Sequence, residues 1–220
     1  LKNIDNRKYK CKNIFYISQN KIKEKKIINI PSREKLSALK NLNSYSLLMI
    51  FAVMRLEKFK IPMIFKSIIN LNSIEGRRQI FSTSERGDFI IDYAHTPDGL
   101  KKVLENLLTH FNKKIILVFG CGGDRDKKKR LTMGRIANKY CNKVFITDDN
   151  PRFEDPHKIR FEIAKGCNKS EIISSREEAI KKAFKLLNKT NLLLITGKGH
   201  ENYQIFKNIK KPFSDYKVVR

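Results

Sequence analysis

The chain has 220 residues, of which 47 are Lys or Arg and 22 are Asp or Glu, so its formal net charge is +25. Hydrophobic residues make up 40% of the chain, which is more than a disordered protein carries. The length excludes a miniature scaffold that depends on disulfides or a structural metal for its stability. The charge would suit nucleic acid, but the lysines are scattered along the chain, whereas a nucleic-acid footprint is clustered. We therefore expect a folded protein with no specific nucleic-acid partner.

Cysteine usage and hydropathy bear on the compartment. The cysteines lie at positions 11, 121, 141 and 167, without a C-x-x-C pair or the dense spacing of a disulfide scaffold, which predicts a reduced, cytoplasmic environment. The longest apolar run covers residues 47–54, far short of the roughly 20 residues of a membrane-spanning helix, so we expect no membrane insertion. Because the chain starts without Met, we expect it to be a piece of a longer protein.

The first part of the chain carries few structural signals. Residues 1–40 are rich in Lys, Asn and Ile and show one short β-like run, Lys26–Ile30. Between residues 41 and 70, apolar residues recur at helical spacing on both sides of Pro62, which predicts a helical hairpin.

From Gly76 onward, strand and helix signals alternate. A β-hairpin is predicted for residues 79–82 and 89–92 around the turn-like Glu85–Asp88. Further strands are predicted at residues 115–119, 144–147, 172–173 and 192–196, and helices at residues 97–111, 131–140, 157–165 and 177–187. Short links between alternating strands and helices predict the α/β class, with a Rossmann-like, doubly wound and mostly parallel sheet.

Polar and glycine-rich loops follow four of the predicted strands. In a parallel sheet, ligands bind beyond the carboxyl ends of the strands, so these loops are expected to meet. Their sequences are DYAHTPD at 92–98, GCGGDRD at 120–126, DDNPR at 148–152 and GKGHE at 197–201. Each loop has an ordinary explanation by itself, because glycine pairs and Asn-Pro steps are common turns and a single His is often structural.

Taken together, the loops offer groups that bind an amino acid. Backbone N–H groups of a glycine nest bind anions, Arg130 and Arg152 bind carboxylates, and Glu201 binds an ammonium group. A metal site is not expected, because no close ligand pair such as H-E-x-x-H is present. Cys121 is not expected to act as a nucleophile, since no base is identified beside it.

The same segments resemble the Mur ligase family, in particular its members that add meso-diaminopimelate. The matching segments are DYAHTPD, FGCGGDRDKKKR, DDNPR and GKGHENYQ, and they occur in the family's order and spacing. The resemblance covers residues 41–220. It implies a partial helical remnant of the family's central ATPase domain in residues 1–75 and the Rossmann-like C-terminal domain in residues 76–220.

The resemblance also implies a reaction and its participants. ATP phosphorylates the D-glutamyl carboxylate of UDP-MurNAc-L-Ala-D-Glu, and an amine of meso-diaminopimelate then displaces phosphate to form an amide. ATP and Mg²⁺ are therefore the implied cofactors, and meso-diaminopimelate and the UDP-MurNAc-dipeptide are the implied partners. The protein is expected to be a cytoplasmic monomer.

Individual positions take their expected roles from this resemblance. The positions that match contacts to meso-diaminopimelate are Arg130, Asp149, Asn150, Pro151, Arg152, Gly197 and Glu201. Arg152 would pair with the distal carboxylate of the ligand, which lysine lacks, and would thereby select the diacid. Gly197 and Glu201 would contact the same amino-acid end. The positions that match secondary contacts to ATP are Arg77, Asp92 and His95.

The chain also departs from the family pattern. Ser46 stands where the adenine-side pattern Asn-x-x-Asn has its second Asn, and Arg78 stands where an apolar residue is usual. No G-x-x-x-x-G-K-[ST] phosphate loop occurs in this sequence, so the principal ATP and Mg²⁺ sites are missing from it. The chain alone is therefore not expected to hydrolyse ATP.

Three interpretations remain open at this point. The chain is the C-terminal portion of a diaminopimelate-adding ligase, a non-catalytic module that binds diaminopimelate or a precursor, or a basic nucleic-acid-binding protein that retains the fold. The first requires the missing ATPase part, and the second requires only the amino-acid pocket. An affinity for DNA that falls steeply with salt and shows no base preference would reduce the third to nonspecific attraction.

Overall fold

The computed structural model describes residues 75–220 and, before them, positions 50, 52–54, 56–60, 62–64 and 66. The chain divides into two compact units, Leu1–Asn72 and Ser73–Arg220. In the first unit, positions 52–54 and 62–64 are helical, which confirms the helical prediction there. The β-like run at 26–30 and the Asn43–Ser46 segment lie outside the described residues, and the assignment of this unit to an ATPase domain stays a prediction.

The second unit is built on one six-stranded sheet, in the order β1-β2-β6-β3-β4-β5. All neighbouring strands in it run parallel except the β1–β2 hairpin. The strands are β1 (Gln79–Thr83), β2 (Gly87–Asp92), β3 (Lys114–Phe119), β4 (Lys143–Ile146), β5 (Ser170–Ile172) and β6 (Asn191–Thr196). The predicted α/β class and mostly parallel sheet are confirmed.

Helices cover both faces of this sheet. The helices are α1 (Pro97–Phe111), α2 (Lys128–Tyr140), α3 (Pro156–Ala164), α4 (Arg176–Lys185) and α5 (Asp215–Val219). One core forms between the sheet and α1, α2 and α3, and the other forms against α4 and α5. Side chains of β3 alternate between the two cores, which is why its sequence is a continuous apolar run buried on both faces.

Local capping explains where the helices begin. The Thr96 hydroxyl accepts a hydrogen bond from the Gly99 N–H at the start of α1, and Pro97 takes the first helical position. Ser175 caps α4 in the same way by accepting from the Glu178 N–H. These caps fix where the chain leaves β2 and β5, and they help to shape the loops at the carboxyl edge of the sheet.

The C-terminal segment contains three elements that the sequence did not predict. Strands β7 (Tyr203–Phe206) and β8 (Ile209–Pro212) form a separate two-stranded antiparallel sheet, and helix α5 follows. The pattern gave no signal for this hairpin because β8 is exposed along its whole length. Within the described part of the chain, no helix combines the length and the apolar character that crossing a membrane requires.

Candidate functional site

The four polar loops meet at the carboxyl edge of the sheet, as predicted. Strands β2, β6, β3 and β4 are consecutive and parallel, so the loops that follow them emerge side by side. The Gly197 N–H donates to the Asp92 carbonyl over 3.2 Å, and the Gly123 N–H donates to the Asn150 carbonyl over 2.9 Å. The Asn150 side chain reaches Glu201 at 2.9 Å.

Glycines allow two of these loops to pack backbone against backbone. A Cβ atom at Gly120 would lie 2.2 Å from the Thr147 carbonyl oxygen, and one at Gly123 would lie 1.9 Å from the Pro151 carbonyl oxygen. Any larger residue would push the 120–126 loop away from residues 148–152. The glycine pair therefore brings the two loops into contact.

A buried lysine that the sequence analysis did not select lies at the centre of the site. Lys198 has a fully buried side chain, and its Nζ lies 3.4 Å from Asp149 Oδ1, 3.0 Å from Asn150 Oδ1 and 3.1 Å from Glu201 Oε2. We call these four residues the Lys198 cluster. Two carboxylates and one ammonium give it a formal charge of −1. The sequence signal was a lysine two residues after the end of a buried strand.

Glu201 is the member of the Lys198 cluster that faces solvent. Its side chain is 18% exposed, and its Oε2 accepts hydrogen bonds from Asn150 and Lys198. Among the residues that the structure describes, its Oε1 has a single long contact, 3.5 Å, with the Tyr93 hydroxyl. Burial and the nearby Glu201 carboxylate raise the pKa of Tyr93, so this phenol stays protonated. Because the contact with Tyr93 is long and the Glu201 side chain is partly exposed, Oε1 can also accept a hydrogen bond from a ligand cation.

Arg152 is held in an unusual backbone conformation. Its φ is 53°, in the left-handed region that costs a non-glycine residue about 1–3 kcal/mol. Its Nη1 donates to the carbonyls of Gly123 at 2.9 Å and Asn150 at 3.3 Å. Among the described residues, its Nη2 and Nε have no protein partner at hydrogen-bond distance, and the side chain is partly exposed. This half of the guanidinium is open to an anion.

Arg152 and Glu201 are brought to the same place by Asn150. The Asn150 carbonyl accepts from Arg152, and its side-chain amide donates to Glu201. Asn150 and Asp149 are themselves buried, so they link the loops from within. A cationic fork and a carboxylate thus share one edge of the molecule, with Gly197 between Asp149 and Asp92 on the inner side.

Arg130 occupies a different position from the one expected of a ligand-binding arginine. Its side chain is fully buried, with Nη1 donating to Glu162 at 2.8 Å and Nη2 donating to Glu154 at 2.9 Å. The hydrogen bond from Arg130 lowers the pKa of Glu154, whose Oε1 also accepts from the Asp124 N–H. The structure therefore places Arg130 beneath the 120–126 loop as a support. Direct contact with a ligand stays a prediction that requires these carboxylates to release it.

The residues expected near ATP fall into two groups. Asp92 is buried, and its two oxygens accept from the backbone N–H groups of Arg78 at 2.8 Å and Ala94 at 2.7 Å, so it shapes the loop. Arg77 and His95 are exposed and surround Tyr93, with the Arg77 guanidinium 4.5 Å from the centre of the Tyr93 ring. These two side chains are open to a ligand, whereas Asp92 is not.

The geometry and burial of the acidic, His and Cys side chains bear on metal and thiol chemistry. Among the residues that the structure describes, no group of three His, Cys, Asp or Glu side chains is placed to hold a metal ion. With both oxygens of Asp92 already bound to N–H groups, the described residues do not fit a Mg²⁺ site. Burial raises the pKa of Cys121 to about 12, so its thiol stays protonated and is a poor nucleophile.

A mostly parallel, six-stranded sheet with helices on both faces and charged loops at one edge places the second unit in the α/β class. Comparison with protein families is more specific, because the model described as "Mur ligase, glutamate ligase domain" matches residues 76–199. The chain belongs to the Mur ligase family. The resemblance seen in the four loop segments is thereby confirmed.

Relatives and solved structures agree with this family. The chain is 46% identical over 180 residues to the UDP-N-acetylmuramoyl-L-alanyl-D-glutamate--2,6-diaminopimelate ligase of Buchnera aphidicola subsp. Schizaphis graminum, covering 80% of this chain and 36% of that protein. It is 47% identical over 167 residues to the enzyme of the same name in Rickettsia typhi, covering 74% of this chain and 33% of that protein. The chain spans about a third of the length of these curated relatives.

Solved structures show the same fold. A structure titled as a UDP-N-acetylmuramoyl-L-alanyl-D-glutamate--2,6-diaminopimelate ligase superposes with a TM-score of 0.63 at 36% identity, covering 81% of this chain and 38% of that one. The UDP-N-acetylmuramate-alanine ligase of Thermotoga maritima superposes with a TM-score of 0.54 at 20% identity, covering 70% of this chain and 34% of that one. The second likeness concerns the fold alone.

Proposed function

We propose that the chain is the C-terminal portion of a ligase that joins meso-diaminopimelate to the D-glutamyl carboxylate of UDP-MurNAc-L-Ala-D-Glu. The curated relatives at 46% and 47% identity carry the name of this activity. The observation that carries the proposal is that Asn150 is hydrogen-bonded to both Arg152 and Glu201. These side chains match in charge the carboxylate and the ammonium of one amino-acid end.

The Lys198 cluster gives this pairing a physical basis. Its formal charge of −1 is compensated when one ligand ammonium binds at Glu201. The free half of the Arg152 guanidinium then binds the carboxylate on the same carbon as that ammonium. Lysine has an ammonium but no carboxylate at its distal end, so it would leave Arg152 without a partner when its α-amine is the group that reacts. The site therefore favours the diacid.

Binding one end of the ligand in this way leaves the other amine free to react. That nitrogen forms a bond to the activated D-glutamyl carbon, loses a proton and displaces phosphate. ATP, bound by the rest of the ligase, supplies the phosphoryl group that activates the carboxylate. The contribution of this chain is to orient the amine, which lowers the entropic cost of the reaction.

The same proposal covers the cofactors and the setting. Arg77 and His95 contact ATP at the edge of its main site, and that site, with Mg²⁺, is supplied by the missing part of the ligase. The enzyme works as a monomer in the cytoplasm. Neither a specific nucleic acid nor a membrane is part of its function.

Calorimetry on the full 220-residue chain tests the amino-acid site. We expect meso-diaminopimelate to bind weakly and L-lysine to bind at least about tenfold more weakly still, a difference of about 1.4 kcal/mol. Arg152→Lys keeps the charge but removes the planar fork, so it should lower the affinity for meso-diaminopimelate to that of lysine. Equal binding of both amino acids by the parent chain would contradict the proposal.

A chimera tests the ligase activity itself. In the Buchnera relative, the aligned 180 residues are replaced by the matching residues of this chain. We expect ATP-dependent ligation of meso-diaminopimelate that the Arg152→Lys chimera loses. A folded chimera that binds meso-diaminopimelate but forms no amide would favour a non-catalytic binding module instead.

A further inference from the structure

The β7–β8 hairpin, defined as residues 203–212, holds the 148–152 loop through a row of hydrogen bonds. The Arg152 N–H donates to the Ile205 carbonyl at 3.0 Å, and the Lys207 N–H donates to the Arg152 carbonyl at 2.7 Å. The Ile205 N–H donates to Asn150 Oδ1 at 3.0 Å. Strand β7 is therefore hydrogen-bonded to both the backbone of Arg152 and the side chain of Asn150.

Gln204 adds the only side-chain contribution from this strand to the loop among the described contacts. Its Nε2 donates to the Asp148 carbonyl at 3.1 Å and to the Asp149 carbonyl at 3.0 Å. Gln204 is buried, so water does not replace these bonds readily when they are lost. One amide group thus satisfies two successive carbonyls just before Asn150 and Arg152.

We propose that Gln204 is a positioning residue that sets the acceptor specificity of the site by fixing the 148–152 loop. The left-handed φ of Arg152, 53°, is unfavourable unless its surroundings enforce it. Gln204 binds the start of the loop through the Asp148 and Asp149 carbonyls, and the backbone of β7 binds its end at Arg152. The strand therefore restrains both ends of the loop. This inference rests on the function proposed above, because Arg152 selects the diacid only in this conformation.

The chain offers a substitution and a matched control. Gln204→Met keeps the length and volume of the side chain but removes both donated hydrogen bonds. Lys211 is the cross-strand partner of Gln204 in β8, is exposed, and contacts the Phe206 ring and not the loop. Lys211→Met therefore changes the same pair position without touching residues 148–152.

Amide hydrogen exchange on the full chain tests the positioning directly. In Gln204→Met we expect the Arg152 and Gly123 amides, which report the two sides of the loop, to exchange at least about tenfold faster, while the β3 and β6 amides keep their protection. Lys211→Met should leave all of these amides unchanged. Unchanged exchange at Arg152 in a folded Gln204→Met variant would overturn the proposal.

Ligand selectivity supplies a readout that a structural role alone would not move. We expect Gln204→Met to reduce the preference for meso-diaminopimelate over L-lysine by about tenfold, mainly through weaker binding of the diacid. An unchanged preference would overturn the specificity role. If the parent chain binds neither amino acid, the proposed function fails, whereas the exchange experiment still decides whether Gln204 positions the loop.

A measurement on the unmodified chain covers the case in which Gln204→Met does not fold. Both protons of the Gln204 side-chain amide are expected to exchange at least about tenfold more slowly than those of an exposed Asn side chain such as Asn208. Exchange as fast as that of Asn208 would show that the two carbonyl contacts are not maintained, and the proposal would fall.

Discussion

Two groups of buried charge lie near the end of strand β6, and they differ in how completely they are paired. Arg176 and Asp215 are both fully buried, are joined by two hydrogen bonds of 2.7 and 2.8 Å, and sum to zero charge. The Lys198 cluster sums to −1 and exposes part of Glu201. The charges of the first group cancel within the fold, although Arg176 Nη1 has no hydrogen-bond partner among the described residues. The second group keeps a net negative charge, which the function proposed above assigns to a ligand ammonium.

The largest expected effect concerns the buried Arg176–Asp215 pair. Asp215→Ala leaves the buried Arg176 guanidinium without its counter-charge, which we expect to lower the free energy of unfolding by about 3–5 kcal/mol. Arg176 also donates to the Thr196 carbonyl at 3.0 Å, so its displacement disturbs the strand end before Gly197. Urea denaturation measures this loss.

An exposed pair is the control for that substitution. Lys181→Ala removes the partner of Glu177 on the surface of α4 and should change the free energy of unfolding by less than about 0.5 kcal/mol. A similar small loss for Asp215→Ala would show that the buried Arg176–Asp215 pair does not stabilise the fold as expected.

A smaller effect is expected when the Lys198 cluster loses the ammonium group of Lys198 itself. Lys198→Met leaves Asp149 and Glu201 without the ammonium, and we expect a loss of about 1–3 kcal/mol in the free energy of unfolding. The loss is smaller than for Asp215→Ala because Glu201 can turn towards water and because the Arg176 guanidinium still attracts the buried Asp149 carboxylate. Thermal unfolding of the two variants side by side makes the comparison, and an equal or larger loss for Lys198→Met would contradict it.

The smallest effect is a change in the pH dependence of stability. The hydrogen bond from Arg130 lowers the pKa of Glu154 in the folded state, so this carboxylate stabilises the fold above the unfolded pKa of about 4.3. The contribution is lost as the pH falls through the lowered folded value. Glu154→Gln should therefore make stability fall less steeply with acid below about pH 4.3.

Glu177→Gln, on the exposed surface of α4, is the matched control for the pH experiment. Its acid limb should follow that of the parent chain. If Glu154→Gln also follows the parent, the Arg130–Glu154 pair does not favour the folded state, and the supporting role given to Arg130 is wrong.

Most of the sheet could be predicted because its signals are local. The run Ile115–Phe119 is apolar at every position and is buried on both faces, and the helix that starts at Pro97 shows its period and its cap within a few residues. The β7–β8 hairpin could not be predicted in the same way, since β8 buries none of its residues. Its hydrogen bonds outside the hairpin include three to a loop 55 and 56 residues earlier in the chain.

The site was predictable in place but not in detail. Strand order brings polar loops to one edge, so the approach of Asn150 to Glu201 followed from the alternating pattern. The burial of Lys198 depends on acceptors 48 and 49 residues away, and the burial of Arg130 depends on carboxylates 24 and 32 residues away. Pairings over such separations leave no periodic signal in the sequence. For this reason Lys198 was missed and Arg130 was expected to face the ligand.

Amide NMR of the labelled 220-residue chain, titrated with meso-diaminopimelate, tests the central claim most directly. The site described here predicts that the largest shifts fall on residues 149, 150 and 152 and on residues 197–201, with L-lysine shifting residues 197–201 alone. Shifts confined to the opposite edge of the sheet, around residues 85–87 and 188–190, would contradict it. So would the absence of any shift at a ligand concentration that saturates the chimeric ligase.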